Sequence, residues 1–99
     1  MIFPEWQGRE IVIFSRRVYR ELEELGMDLW TVKYILEYGF DCPRSKRRKG
    51  IIEKCIRKGD KIIKVVVQEE LSDVLGEIWV LRHVGLTSSP RSLLDLAGG

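Results

Sequence analysis

Ile51-Ile52-Glu53-Lys54-Cys55-Ile56-Arg57-Lys58-Gly59-Asp60-Lys61-Ile62-Ile63-Lys64-Val65-Val66-Val67 is the stretch whose reading decides how this 99-residue chain folds. Two runs rich in β-branched residues flank Gly59-Asp60, and a two-residue Gly-Asp connection suits a type II′ hairpin turn. That turn sets Arg57 opposite Ile62, Ile56 opposite Ile63, Cys55 opposite Lys64 and Glu53 opposite Val66. Because strand side chains alternate, the register assigns faces. Ile52, Ile56, Ile63, Val65 and Val67 fall on one side, which must be buried, and Glu53, Cys55, Arg57, Ile62, Lys64 and Val66 fall on the other. Lys54 lands on the buried side, a warning that its strand is an edge, carries a bulge or is shifted.

Toward the N-terminus, Arg9 to Phe14 is β-branched and apolar, is ended by Ser15, and reads as a short strand that can take an edge position. Ser15 can cap a helix whose apolar positions are Val18, Leu22 and Leu25, with Gly26 as its left-handed stop. Asp28 caps a second helix with Leu29, Val32, Ile35 and Leu36 on one side, and Gly39 ends it. The connection between the helices is so tight that both stripes should face one core. Phe40 to Lys49 reads as a loop. Toward the C-terminus, Glu69 to Gly76 reads as an acidic connection and Glu77 to Val84 as a third strand, with Trp79 and Leu81 in the core and Ile78, Val80 and Arg82 on the Lys64 side. In the tail, 87–99, Ser89 and Pro90 can open a short helix carrying Leu93, Leu94 and Leu96. The expectation is one α+β domain over 1–99, with two N-terminal helices packed on one face of a mainly antiparallel three- to four-stranded sheet.

Apolar residues at 44% and charged residues at 32% fit an ordinary globular domain, and the length suits one core. The longest apolar stretch, Ile62 to Val67, is broken by Lys64 and is far short of the roughly 20 residues a membrane span needs. The first residues lack a secretory pattern, so a cytoplasmic location with reduced thiols is expected. Cys42 and Cys55 then read as two free thiols, with too few neighbouring ligands for a metal site. Abundant Glu, Lys, Arg and Ile, two Gln and no Asn follow the composition trend of hyperthermophile proteins.

The net charge of +2 hides a segregation: −3 over 1–42, +7 over 43–61 and −2 over 62–99. Arg44, Lys46, Arg47, Arg48 and Lys49 put five cations within six residues. Such mutual repulsion is relieved by an anionic partner such as a phosphate backbone, and the competing reading is a solvated loop. A second constellation follows from the hairpin register, with Glu53, Arg57, Lys64 and Arg82 on one sheet face. Cross-strand ion pairing is the plain reading. The functional one is a cleft in which fixed cations hold a scissile phosphate and stabilise developing charge, while Glu53 or His83 handles a proton. His83 is the sole histidine, which excludes a two-histidine acid–base pair; a strand histidine beside core residues is otherwise structural. Trp30, Tyr34, Tyr38 and Trp79 read as core, with Tyr34 or Tyr38 as alternatives for stacking on a base. No Gly-rich phosphate loop, Ser-His-Asp arrangement or metalloprotease pattern is present.

The order strand, two helices, three antiparallel strands, together with Phe14-Ser15-Arg16-Arg17-Val18-Tyr19-Arg20-Glu21-Leu22-Glu23-Glu24-Leu25-Gly26-Met27, resembles small toxins of the RelE/ParE/BrnT type over roughly Arg9 to Gly85. Relatives of those toxins open with Ser, then His-Ala, and an arginine four residues on; here Arg17 stands in the histidine's place and Glu21 in the arginine's. The resemblance implies a RelE-like ribonuclease architecture and a metal-independent, cofactor-free endoribonuclease acting on RNA or at the ribosome, with a small antitoxin covering the sheet. The alternative from the residues is a non-catalytic nucleic-acid or protein interaction module using the basic loop. A third reading is a homodimer docked through the apolar tail.

Overall fold

A computed structural model describes residues 3–42 and 48–87. The chain forms β1 (Glu5–Trp6), β2 (Arg9–Val12), α1 (Arg16–Glu24), α2 (Leu29–Tyr38), β3 (Phe40–Asp41), β4 (Ile51–Lys58), β5 (Lys61–Ser72) and β6 (Gly76–Thr87). One six-stranded sheet has the order β1-β2-β6-β5-β4-β3, and it curls into a half-barrel. All its pairings are antiparallel except β2 with β6. This corrects the expected architecture of two helices on a three- to four-stranded sheet: strand makes up about half of the described residues and the molecule is mostly β.

The β4–β5 hairpin has the expected register in every pair named above, from Glu53 opposite Val66 to Arg57 opposite Ile62. Gly59 supplies the left-handed φ of +63° that the tight turn requires. Ile63, Val65 and Val67 join Val18 and Leu22 of α1 and Val32, Ile35 and Leu36 of α2 in the main core. The four-and-three spacing of apolar residues in both helices is therefore what seats them on this face. Asp28 caps α2, accepting the Thr31 N–H at 2.9 Å and its hydroxyl at 3.0 Å. Ser15 occupies the corresponding position of α1 without a side-chain bond.

Lys54 does point toward the helix side, where its Nζ lies 2.9 Å from Asp41 of β3. Its strand has only the two-residue β3 beyond it, so a long side chain there can find a polar partner at the rim. The edge β1 is equally short. Gln7 and Gly8, with φ of +53° and +76°, turn it back onto β2, and Trp6 then packs at 5.4 Å from Trp79, whose Nε1 donates to the Trp6 carbonyl at 2.9 Å.

Two further expectations are corrected. Glu69 to Gly76 is not a connection throughout: β5 runs to Ser72, with Glu69 opposite Trp79 and Glu70 opposite Ile78, and only 73–75 form the hairpin loop. Cys42 and Cys55 are not free thiols but a disulfide, with Cα atoms 5.2 Å apart. Cys42 follows β3 directly, and β3 lies opposite Cys55 in the ladder, so pairing of the strands brings the sulfurs together. The tail helix proposed around Leu93, Leu94 and Leu96 lies outside the described residues. No helix among the described residues is long and apolar enough to cross a membrane.

Candidate functional site

The sheet face away from the helices carries the sequence-predicted constellation in three rows. Arg57, Ile62 and Thr87 form one, Cys55, Lys64 and Gly85 the next, and Glu53, Val66 and His83 the third. Residues paired across neighbouring strands share a face, so Glu53, Arg57, Lys64 and His83 share this one. Arg57 is exposed at the hairpin end, and Ile62 and Cys55 are fully buried in a small apolar cluster with Cys42.

A bulge decides where Arg82 and His83 go. Val66 pairs with His83 but Val67 pairs with Leu81, so β6 has one residue more than β5 at this point. Strict alternation would give Arg82 the Lys64 side and turn His83 inward. The extra residue instead lets Leu81 and Val84 both enter the core while His83 is brought into line with Val66. The Arg82 side chain is exposed, and its carbonyl accepts from Arg17 Nη2 at 3.2 Å.

Two carboxylates organise the middle of the face. Glu53 Oε1 lies 2.7 Å from Lys64 Nζ, a diagonal cross-strand pair in which both groups are mostly covered. Glu21 of α1 reaches the margin of β6: one oxygen accepts the Val84 N–H at 3.1 Å and the other faces His83 Nδ1 at 3.1 Å. Gly85, opposite Lys64, leaves the room that the His83 ring takes up. A Cβ built on Gly85 would stand 2.9 Å from His83 Nε2, so the imidazole lies over the glycine where any other residue would put a side chain.

The basic loop is only partly described. Arg48 and Lys49 are exposed in the turn that leads into β4, while Arg44, Lys46 and Arg47 lie outside the described residues. Arg48 and Lys49 precede Ile51, at the opposite end of β4 from Arg57, and the strand between spans roughly 20 Å at ~3.3 Å per residue. Near that end is a cleft of about 1030 Å³ whose lining includes Trp6, Leu36, Arg48, Ile52 and Lys54. Among the described residues no cluster of His, Cys, Asp or Glu has the makings of a metal site.

Glu21 is the residue that sequence reasoning missed. It was visible as a departure from the toxin opening, but its partners lie more than 60 positions away on β6, beyond the reach of helical periodicity. Tyr34 and Tyr38 are exposed rather than core, 5.0 Å apart on α2, and Trp30 is exposed one turn before them. Trp79 is core as expected. Comparison with known proteins found no matching family model, no matching curated protein and no matching solved structure.

Proposed function

We propose that this chain is a toxin-type, metal-independent endoribonuclease that handles RNA on the outer face of β4, β5 and β6. The observation that carries the reading is the register that sets Glu53, Arg57, Lys64 and His83 on a single face, with the His83 ring lying over Gly85 beside Lys64. In the proposed reaction a ribose 2′-hydroxyl gives its proton to a basic group of the site and its oxygen bonds to the adjacent phosphorus. The bond from phosphorus to the 5′-oxygen breaks, and the departing oxygen takes a proton from water. The products are a 2′,3′-cyclic phosphate and a 5′-hydroxyl. Arg57 and Lys64 on the face, and Arg82 from the bulge beside His83, offset charge on the phosphate, where fixed cations act without reorganising during the reaction. Glu53 or His83 takes the proton. Arg44, Lys46, Arg47, Arg48 and Lys49 hold a more distant part of the strand by phosphate contacts.

The toxin-like opening at Ser15 to Met27 supports this class and, with it, a small antitoxin as partner and the ribosome as a place of action. The reading includes a cytoplasmic location in a thermophile, the composition bearing on the source alone; the Cys42–Cys55 disulfide departs from the expected reduced thiols and fits that location only for a hyperthermophile, whose intracellular proteins carry such bonds.

A second reading, a non-catalytic RNA-binding module, is favoured by one observation: Glu53 neutralises Lys64 at 2.7 Å. Incubating the purified chain with total RNA and with ribosomes, in the presence of a chelator, separates the two. Cleavage that ends in a cyclic phosphate and is lost in folded Arg57→Ala or Arg82→Ala supports the enzyme. Salt-sensitive binding with intact RNA supports the module, and neither cleavage nor binding removes both.

A further inference from the structure

Glu21 makes two different bonds with its two oxygens, one to a backbone N–H that is always a donor and one to an imidazole nitrogen whose role is open. A carboxylate only accepts, so a neutral His83 bonded to it must carry its proton on Nδ1. The other nitrogen, Nε2, then keeps its lone pair. That nitrogen is also the atom that lies over Gly85, the residue opposite Lys64.

Resting on the ribonuclease reading, we infer that Glu21 is a positioning residue that fixes His83 as the Nδ1–H tautomer and presents Nε2 above Gly85 as the proton acceptor for a ribose 2′-hydroxyl. His83, not Glu53, is thereby the base of the site, since Glu53 is held by Lys64 at 2.7 Å. The ribose approaches the imidazole from its solvent side, since the His83 side chain is 43% exposed, and Lys64, paired with Gly85 across the ladder, is the neighbouring-strand cation for the phosphate that follows. The substrate class is ribonucleotide at the cleaved position; a strand with a single 2′-deoxy residue there binds and is not cut.

The bond geometry supplies a clean test. In Glu21→Gln the amide oxygen still accepts the Val84 N–H, but the amide nitrogen now donates to Nδ1, which must give up its proton. The tautomer inverts while the backbone bond remains. Nitrogen-15 NMR of the imidazole at about pH 8, where an ordinary histidine is neutral, is expected to show Nδ1–H in the full-length wild-type chain and Nε2–H in the variant. RNA cleavage is expected to fall by roughly 10²–10⁴-fold, the usual contribution of a positioned base, with binding of the deoxy-blocked strand unchanged. A wild-type Nε2–H signal, or an inverted tautomer with full cleavage, overturns the inference. Intact RNA in the wild type overturns the ribonuclease reading and, with it, the role of Nε2 as a base, whereas loss of cleavage in Arg57→Ala beside a wild-type Nε2–H tautomer overturns only the role given to Glu21.

Discussion

The Glu21 carboxylate accepts the Val84 N–H at 3.1 Å, on the side of β6 where β2 no longer runs. β2 pairs with β6 only through Ile78, Trp79 and Val80, and α1 follows β2 in sequence to lie along the rest of that margin. Arg17, one turn before Glu21, donates to the Arg82 carbonyl at 3.2 Å. Helix side chains thus satisfy strand backbone that has no strand neighbour there, which protects an edge as well as placing α1.

Removing Glu21 should therefore cost stability. Glu21→Ala leaves the partly covered Val84 N–H without its acceptor, and an unsatisfied group of this kind costs about 1–3 kcal/mol. Urea unfolding is expected to show that loss for the alanine variant and well under half of it for Glu21→Gln, which keeps an acceptor oxygen. Equal losses in the two would mean that charge rather than the backbone bond holds α1 in place.

Gly39 is the tightest glycine of the described residues. Its φ is −73°, open to any residue, yet a Cβ there would collide with the Ile35 carbonyl and stand 2.7 Å from the Cys55 carbonyl oxygen. Both obstacles are backbone, so neither can swing aside. Gly39→Ala is expected to lower stability by about 1–3 kcal/mol, the usual cost of overpacking. Gly26→Ala, at φ +63° with nothing within 4 Å, should cost about 1 kcal/mol from backbone strain alone. Thermal unfolding of the two variants under one condition checks the order.

The Cys42–Cys55 disulfide spans 13 positions and encloses the basic segment. Closing a loop of that size restricts the unfolded chain by about 3 kcal/mol in the chain-entropy account. Unfolding with and without reductant should differ by that order, and the unreduced, denatured protein should show no titratable thiol. Coincident curves, or two reactive thiols, would contradict the cross-link.

Much of this fold is written locally. The Gly59-Asp60 turn and the alternation around it specify the β4–β5 register residue by residue, and periodicity with Gly26, Asp28 and Gly39 specifies both helices. What escaped is set by distant partners. A two-residue strand such as β1 or β3 has no periodicity to read; Trp6 is placed by Trp79, and Phe40 by Cys55. Glu69 and Glu70 look like loop residues until β6 is laid beside them, since exposed strand ends accept charge. The site divides in the same way: Glu53, Arg57 and Lys64 follow from one turn, whereas His83 needs a bulge and Glu21 needs a helix brought to a strand.

Acid should weaken α2 through its cap. Two hydrogen bonds from Thr31, backbone first and then side chain, hold the Asp28 carboxyl below its ordinary value of 3.8. A carboxyl depressed on folding adds stability above its unfolded value and loses it as pH falls through the folded one. Wild-type stability is expected to drop by a small amount as pH is lowered through and below that range. Asp28→Asn keeps an acceptor for Thr31 and removes this part of the pH dependence. Unfolding midpoints of both proteins at neutral and acid pH decide it, and parallel pH profiles would exclude the cap as a source.

Gly85→Ala separates the fold from the proposed chemistry. The new Cβ would meet His83 Nε2 at 2.9 Å and Cε1 at 3.0 Å, and the atoms in its way belong to a side chain with a partly exposed face. The imidazole can turn away, and alanine is no worse than glycine in a strand interior, so stability should change by no more than about 1 kcal/mol. The ring cannot, however, turn away and keep Nε2 over the same point. A displacement of about 1 Å in a reacting group is worth on the order of 10²-fold in rate, so RNA cleavage should fall by about that factor with strand binding kept. A variant that folds normally and cleaves at the wild-type rate would show that the seat of the His83 ring over Gly85 has no part in the reaction.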